Sequence, residues 1–176
     1  MRNKQTLEAL RKLAKDIGDT SNKTMIEIGC YAGESTEVWC NTFKFVHCID
    51  PWLDGKGYDP NDTASIRMSD DIERQFDRRL SAYDNHKKYK NFSYDVHELF
   101  EDGSLDFVYI DGEHTYKGVK KDIELFLPKI KPNGFIGGHD FKPKWKGVMD
   151  AVIEHFGQPH HVYSDSSWLI NLGELK

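Results

Sequence analysis

The first chemical signal in the sequence is a pair of glycines followed by an aspartate. The segment EIGCYAGES (27–35) overlaps the end of a short apolar run and contains Gly29 and Gly33. Glycines let a backbone approach a ligand closely, and a helix that begins at such a turn offers free N–H groups. Asp50 ends the next apolar run, about 20 positions further on, where a carboxylate can accept both hydroxyls of a ribose. The pattern predicts a site for a nucleoside-containing ligand.

The residues around these glycines discriminate among such ligands. A dinucleotide site prefers a second glycine where this sequence has Tyr31, because the pyrophosphate sits against the start of the helix. Glu34 at the helix start would repel a pyrophosphate, whereas Glu27 suits a cationic amine. The segment therefore favours a ligand with a cationic amine over a dinucleotide.

A second group of chemically active residues follows two later apolar runs. Asp111 and His114 come after one run, and His139 and Asp140 come after the other. Because the carboxyl ends of parallel strands share one edge of a sheet, these residues would face one cleft. His114 or His139 could act as a general base there, since imidazole titrates near neutral pH. In the alternative interpretation, Asp111 only contacts an amino group of the ligand, and His139 and Asp140 only form a turn.

Alternating strands and helices must position these groups. Apolar runs bounded by turn residues predict seven strands, and the spacing of apolar residues predicts helices between most of them. The strands are expected at residues 24–28, 45–49, 92–96, 105–110, 135–138, 160–163 and 168–172. An amphipathic helix within residues 1–20, ended by Gly18, precedes the first strand. Asp95 would then lie at the end of the third strand.

This order of elements predicts an α/β fold. Strand–helix–strand repeats imply parallel pairs with helices on both faces, whereas residues 164–167 leave no room for a helix and imply an antiparallel hairpin. We expect a Rossmann-like, doubly wound, mostly parallel seven-stranded sheet with that hairpin at one edge. A length of 176 residues predicts a single domain over 1–176.

Composition limits the partners. The chain has 24 Lys and Arg against 29 Asp and Glu, a net charge of −5, which argues against a broad nucleic-acid interface. The basic run at 87–90 is interpreted as a solvated helix end. No stretch approaches the roughly 20 apolar residues of a membrane helix. Three cysteines without a disulfide pattern and the lack of a secretory segment predict a cytoplasmic protein.

Three segments carry a family resemblance. MIEIGCYAGEST, VHCIDPW and LDFVYIDGEHTYKGVKKDIELFLPKIKPNGFIGGHDF resemble a class I methyltransferase that uses S-adenosylmethionine, over roughly residues 22–172. Within that superfamily the chain is most similar to methyltransferase domain family 24, which adjoins metal-dependent sugar O-methyltransferases and cephalosporin hydroxylase-like proteins. The resemblance implies that S-adenosylmethionine is the cofactor. It implies these cofactor-binding residues: Glu27, Gly29, Cys30, Tyr31, Ala32, Gly33, Ser35, Asp50, Pro51, Trp52, Asp95, Val96 and Asp111.

The same resemblance implies a metal site. In the related metal-dependent O-methyltransferases, the fourth and fifth strand ends carry acids that hold a divalent cation. Asp111, His139 and Asp140 occupy these positions, with an imidazole where the family usually has an acid, and would suit magnesium, manganese or iron. The expected catalytic residues are therefore these three together with His114.

The leading hypothesis is methylation of a hydroxyl, less readily an amine, on a small-molecule or sugar acceptor. The loops at 51–69 and 141–147 would determine the acceptor. One alternative is a metal-dependent oxygenase of the cephalosporin hydroxylase-like type, and another is a non-catalytic binding module that keeps the cofactor fold. Because the chain is little longer than the core fold, it leaves room for a partner subunit or a homo-oligomer.

Overall fold

The computed structural model describes residues 4–53 and 71–175, and helices alternate with strands along them. The helices are α1 (Lys4–Asp16), α2 (Glu34–Cys40), α3 (Ile72–Leu80), α4 (Ser93–Val96), α5 (Tyr116–Phe126) and α6 (Lys146–Phe156). The strands are β1 (Thr24–Ile28), β2 (Phe45–Ile49), β3 (His86–Tyr89), β4 (Leu105–Ile110), β5 (Ile130–Gly138), β6 (His161–Val162) and β7 (Trp168–Asn171).

These strands form one sheet in the order β3-β2-β1-β4-β5-β7-β6. The pairs from β3 through to β5 are parallel, whereas β7 runs antiparallel to both β5 and β6. The predicted doubly wound sheet with an antiparallel hairpin at one edge is confirmed. Its strand order reverses between β1 and β4, which is where this class of sheet binds ligands.

Helices cover both faces of the sheet and bury two apolar clusters. Trp39 of α2 and Phe76 of α3 lie in the cluster under α1, α2 and α3. Ile123 and Phe126 of α5 lie in the cluster under α4, α5 and α6. The central strands are apolar on both sides because both of their faces are covered.

Local sequence signals explain where the helices begin and end. The face of α1 that carries Leu10 and Leu13 is buried, and Gly18 follows the helix with a φ of +90°. Thr115 precedes α5, and its hydroxyl accepts a hydrogen bond from the Gly118 amide at 3.1 Å. Pro128 follows α5 and cannot extend it. These caps fix the start of α5 directly after the predicted site residues of β4.

The prediction for the third strand is wrong. Residues 92–96, expected as a strand, contain the short helix α4, and the third strand is His86–Tyr89, which includes most of the basic run that was interpreted as a helix end. This strand lies at the edge of the sheet, and the Lys88 ammonium lies 2.7 Å from Asp77 of α3. An edge strand tolerates charged side chains, so its sequence lacks the apolar signal of a central strand.

Two further predictions concern the fifth strand and the loop at 51–69. The fifth strand begins earlier than predicted, at Ile130, and the turn signature at 131–134 lies at an irregularity in its pairing with β4. Most of the predicted loop at 51–69 lies outside the described residues.

No helix within the described residues is long and apolar enough to cross a bilayer.

Candidate active site

The glycine turn after β1 touches the loop after β4. Gly29 has a φ of +88°, and a Cβ atom placed on it would lie 2.1 Å from the carbonyl oxygen of Asp111. The Asp111 amide donates to the Ile28 carbonyl at 2.7 Å, and the Gly29 amide donates to the Ile49 carbonyl at 2.8 Å. Glycine is required here because a left-handed backbone and a close backbone approach coincide. The predicted cofactor turn is thereby joined to the ends of β2 and β4.

Asp50 locks the ends of β1 and β2 together. Its two carboxylate oxygens accept from the backbone amides of Tyr31 at 2.9 Å and Trp52 at 2.7 Å, and the residue is 2% exposed. The Trp52 indole donates to the Tyr31 carbonyl at 2.8 Å. Burial raises the pKa of Asp50 to about 6, although hydrogen bonds from the backbone amides of Tyr31, Trp52 and Cys30 lower it. A carboxylate has about four acceptor positions, so these three amides leave one for a further donor.

Tyr31 and Trp52 both have left-handed backbones, with φ values of +49° and +43°. Such conformations are rare for bulky residues and concentrate at functional sites. The Trp52 side chain is buried and packs on Phe76 with ring centroids 4.9 Å apart, whereas Tyr31 is 42% exposed. Trp52 therefore packs on the core of the sheet, and Pro51 beside it is half-buried.

The remaining residues of the turn face inward. Both carboxylate oxygens of Glu27 accept hydrogen bonds from α2, one from the Thr36 hydroxyl at 2.5 Å and one from the Trp39 indole at 3.1 Å. Glu27 is fully buried and fastens α2 to β1, so its carboxylate faces this helix. Burial also raises the pKa of the Cys30 thiol well above its usual value. Ala32 and Ser35 are buried as well, so these four side chains contribute little surface to the cleft.

Asp95 and Val96 occupy positions that the predicted strand did not foresee. Asp95 is exposed on α4, and Val96 is buried in the apolar cluster under α4, α5 and α6. Neither residue ends the third strand, which ends at Tyr89.

The structure brings Asp111, His114, His139 and Asp140 together. The Asp140 carboxylate lies 2.9 Å from Nε2 of His114 and 3.3 Å from Nδ1 of His139. Nδ1 of His139 lies 3.7 Å from the Asp111 carboxylate. Two carboxylates and two imidazoles thus meet at the carboxyl ends of β4 and β5.

Asp140 is the electrostatic centre of this cluster. The Lys142 ammonium lies 2.5 Å from its second carboxylate oxygen. Burial raises the pKa of Asp140, but hydrogen bonds from His114, His139 and Lys142 outweigh burial and hold this pKa well below its usual range. Asp140 is therefore ionised at neutral pH. Its φ of +61° is a further left-handed conformation at the rim.

Two further residues lie in this neighbourhood, of which sequence reasoning missed Asp165. Asp165, in the turn between β6 and β7, places its carboxylate 3.8 Å from Nε2 of His139. Trp145 lies against His114 with ring centroids 4.6 Å apart. The turn at 164–167 gave no signal of its own, whereas Trp145 lies in the loop that was predicted to face the acceptor.

The cluster fits a divalent cation. One ligand atom each from Asp111, His139 and Asp140 lies within 4.8 Å of the other two. Carboxylate oxygens suit magnesium and manganese, and a mixed imidazole and carboxylate set also suits iron. A pocket beside the cluster is lined by Ile110, Asp111, Gly112, Glu113, His114, Val119, His139, Val148 and Trp168. Its lining combines the charged and imidazole side chains of the cluster with apolar side chains of β4, α5, α6 and β7.

Comparison with known proteins decides the family. Residues 26–141 match the model of the methyltransferase domain family that the sequence resembles. The chain belongs to this family. Its domain is of the S-adenosylmethionine-dependent methyltransferase class, and the cofactor of that class is S-adenosylmethionine.

Solved structures show the same fold at low sequence identity. The O-methyltransferase NovP is 16% identical with a TM-score of 0.68, over 95% of this chain and 79% of that one. An S-adenosylmethionine-dependent O-methyltransferase from Thermotoga maritima is 11% identical with a TM-score of 0.59, over 84% and 49%. Phosphoethanolamine N-methyltransferase 1 of Haemonchus contortus, solved with phosphoethanolamine and S-adenosylhomocysteine, is 16% identical with a TM-score of 0.54, over 79% and 27%.

A curated relative matches a smaller part of the chain. The uncharacterized protein y4gI of Sinorhizobium fredii is 38% identical over 47 residues, which are 27% of this chain and 5% of the relative. The chain therefore covers a small fraction of that relative's length.

Proposed function

We propose that the protein methylates a hydroxyl group of a small-molecule or sugar acceptor, with a divalent cation at Asp111, His139 and Asp140. The observation that carries this proposal is the cluster of two carboxylates and two imidazoles beside the glycine turn of β1. Membership of the methyltransferase family supports S-adenosylmethionine as the methyl donor. NovP and the Thermotoga maritima protein, which share the fold, are O-methyltransferases and support oxygen as the methyl acceptor.

The glycine turn and Asp50 form the cofactor side of the site. The backbone from Gly29 to Gly33 lines the methionine part, and the remaining acceptor position of Asp50 takes a ribose hydroxyl. Tyr31, which is 42% exposed, would lie beside the bound cofactor. S-adenosylmethionine supplies, when bound, an electrophilic methyl group on a sulfonium centre. Methyl transfer depends mainly on the alignment of acceptor, methyl and sulfur, so a rigid turn is the main requirement here.

The cluster at β4 and β5 forms the acceptor side. A divalent cation supplies, when bound, Lewis acidity that lowers the pKa of an acceptor hydroxyl. Asp111, His139 and Asp140 would hold it, and ionised Asp140 brings negative charge. His114 directs Nε2 at Asp140, so this carboxylate would orient the imidazole that takes the hydroxyl proton. Aspartate orients histidine bases in the same way in other enzymes.

The loop after β5 supports a small acceptor. Trp145 packs against His114 and offers an aromatic surface, and Lys142 brings a positive charge to the same edge. The net charge of −5 disfavours a nucleic-acid substrate. Three buried free cysteines favour a reducing compartment, and we place the enzyme in the cytoplasm. A homo-oligomer would cover the acceptor side of the site.

Calorimetric titration tests the cofactor and the metal separately. We expect saturable binding of S-adenosylhomocysteine, none of NAD, and binding of Mn²⁺ that the Asp140→Asn variant loses. Asp140→Asn should retain the affinity for S-adenosylhomocysteine within about threefold. It should lose about 10²-fold to 10⁴-fold in turnover, the usual contribution of general acid–base catalysis, because Asp140 orients the base His114.

The control for this variant is Asp150→Asn on α6. Asp150 is paired with exposed Lys146, and its substitution changes the net charge by the same amount away from the cleft. Failure of the wild-type protein to bind S-adenosylhomocysteine would refute the methyltransferase site. Iron binding with oxygen consumption would instead support the oxygenase hypothesis, and cofactor binding without turnover on a broad acceptor panel would support a binding module.

A further inference from the structure

The indole nitrogen of Trp168 is a buried hydrogen-bond donor without an acceptor in the part of the chain that the structure describes. Trp168 lies on β7 and is fully buried. By contrast, the indoles of Trp39 and Trp52 donate to Glu27 and to the Tyr31 carbonyl. A buried indole usually has such a partner, and its nitrogen can only donate. The Trp168 N–H is therefore available to an acceptor atom of a bound molecule.

This nitrogen lies close to the ends of β4 and β5. Trp168 pairs with Gly138, the residue before His139. A Cβ atom placed on Gly138 would lie 2.8 Å from Nε1 of Trp168 and 2.4 Å from the Ile110 carbonyl oxygen. That carbonyl already accepts from the His139 amide at 3.0 Å. The bare backbone of Gly138 thus leaves room for the indole nitrogen one residue away from the cluster of carboxylates and imidazoles.

Trp168 and the cluster line the same pocket. Asp111, His114 and His139 contribute polar groups to the pocket, and valine side chains of α5 and α6 contribute apolar ones. The cavity volume is about 10 Å³, and one water-sized group needs about 10–15 Å³. The pocket therefore accommodates one small group, such as a hydroxyl, and excludes a ring.

The lining of the pocket determines which group is favoured. An anionic oxygen would meet the carboxylates of Asp111 and Glu113, which also line the pocket. A neutral hydroxyl, ether or carbonyl oxygen avoids this repulsion and can accept from the indole. A water molecule could do the same, but a molecule held by the cluster would reach the pocket through the side chains that both share. Such a molecule can displace the water with an oxygen of its own.

We propose that this pocket is a subsite for a second, neutral oxygen of the acceptor, adjacent to the hydroxyl that is methylated, and that the Trp168 N–H donates to it. This inference rests on the proposed function, because the cluster would hold the first oxygen. Oxygens on neighbouring carbons are close enough to contact the cluster and the indole together. The acceptor class is therefore a vicinal diol or an α-hydroxy carbonyl compound, and a sugar ring provides the former.

Nitrogen NMR of the protein without cofactor or metal tests this contact directly. The probes are cis- and trans-1,2-cyclohexanediol, and cyclohexanol is the matched molecule that lacks the second oxygen. We expect at least one diol to move the indole N–H signal of Trp168 saturably. Cyclohexanol should bind about 5-fold to 100-fold more weakly, because it leaves the buried donor unpaired. Sequential assignment identifies the signal, so this step requires no variant.

The Trp168→Phe variant separates the N–H group from the aromatic ring. The affinities of the probes are then followed on the Gly112 amide, because Gly112 lines the same pocket. We expect the preference for diol over cyclohexanol to fall to within about twofold, since no unpaired donor remains. A merely structural role of Trp168 would weaken the binding of both probes alike and leave the preference unchanged.

A second variant fills the pocket and leaves the indole in place. Val148→Leu adds one methylene group to the lining and should weaken the binding of the diol. Val162→Leu makes the same change at an exposed position of β6 and should bind the diol as the wild-type protein does. This pair carries the test if Trp168→Phe does not fold.

Three results would overturn the proposal. The first is a Trp168 signal that neither diol moves, and the second is cyclohexanol binding as tightly as the diols. The third is a nuclear Overhauser contact from the indole proton to a long-lived water that persists at saturating diol. If the Trp168 signal moves but S-adenosylhomocysteine does not bind, the methyltransferase site fails and the subsite stands. If S-adenosylhomocysteine binds and the Trp168 signal does not move, only the subsite fails.

Discussion

Substitution of Gly29 by alanine should move the loop that carries Asp111. The new Cβ atom would lie 2.1 Å from the Asp111 carbonyl oxygen and 2.6 Å from the Gly112 amide nitrogen. Both are backbone atoms, so rotation of a side chain cannot relieve the overlap. The loop after β4 must shift away from the turn after β1, and the cofactor and acceptor sides of the site separate.

The expected loss of stability has two parts. A left-handed backbone costs a residue with a Cβ atom about 1–2 kcal/mol, and forced overlap in a packed region costs about 1–3 kcal/mol. Gly18 provides a matched control because it has a similar φ of +90° and nothing within 4 Å of its Cβ position. Gly18→Ala should therefore show only the first part, and Gly29→Ala should lose about 2–5 kcal/mol.

Urea unfolding of both variants measures the difference, since the backbone strain cancels between them. We expect Gly29→Ala to be less stable than Gly18→Ala by about 1–3 kcal/mol. It should also bind S-adenosylhomocysteine at least about 10-fold more weakly, which corresponds to about 1.4 kcal/mol, while Gly18→Ala binds it normally. Equal losses of stability in the two variants would refute the argument that close contact with Asp111 requires glycine.

Two further predictions concern buried carboxylates. Burial raises the pKa of Asp122 to about 7 despite a hydrogen bond from Ser93, so the folded state holds a proton that the unfolded state releases. Its contribution to stability is lost as pH rises from about 4 to 7, by up to about 4 kcal/mol. Asp122→Asn should gain stability over wild type across this range in urea unfolding, and a constant difference would contradict the assignment. Asp50→Asn leaves the Tyr31 or Trp52 amide without its acceptor and should lose about 1–3 kcal/mol in unfolding. Its affinity for S-adenosylhomocysteine should fall in calorimetry, and an unchanged affinity would exclude a ribose role.

Local patterns explain which elements could be predicted from the sequence. The strands Thr24–Ile28, Phe45–Ile49 and Leu105–Ile110 agree with the predicted bounds because buried strands are short apolar runs between turn residues. The strand His86–Tyr89 was missed because an edge strand carries lysines whose partners come from α3. The pattern gave no local reason to prefer it over residues 92–96.

Prediction of the direction in which a side chain points required more than identification of the strand or helix that carries it. Glu27 was predicted at the cofactor, but it lies on the face of β1 that packs against α2. Strand alternation places Glu27 on the same face as Met25, and this signal could have revealed its inward direction. Its partners, Thr36 and Trp39, follow only from the way α2 docks on the sheet.

The sequence by itself determined the class of fold, the glycine turn and the residues at the ends of β4 and β5. Those features are local, and parallel strands bring their carboxyl ends to one edge whatever the details of packing. The tertiary structure decided that Asp50 binds backbone amides, that Lys142 pairs with Asp140, and that the hairpin turn brings a carboxylate to His139. These contacts join residues far apart in the chain, and they depend on strand order and docking distances that no local pattern encodes.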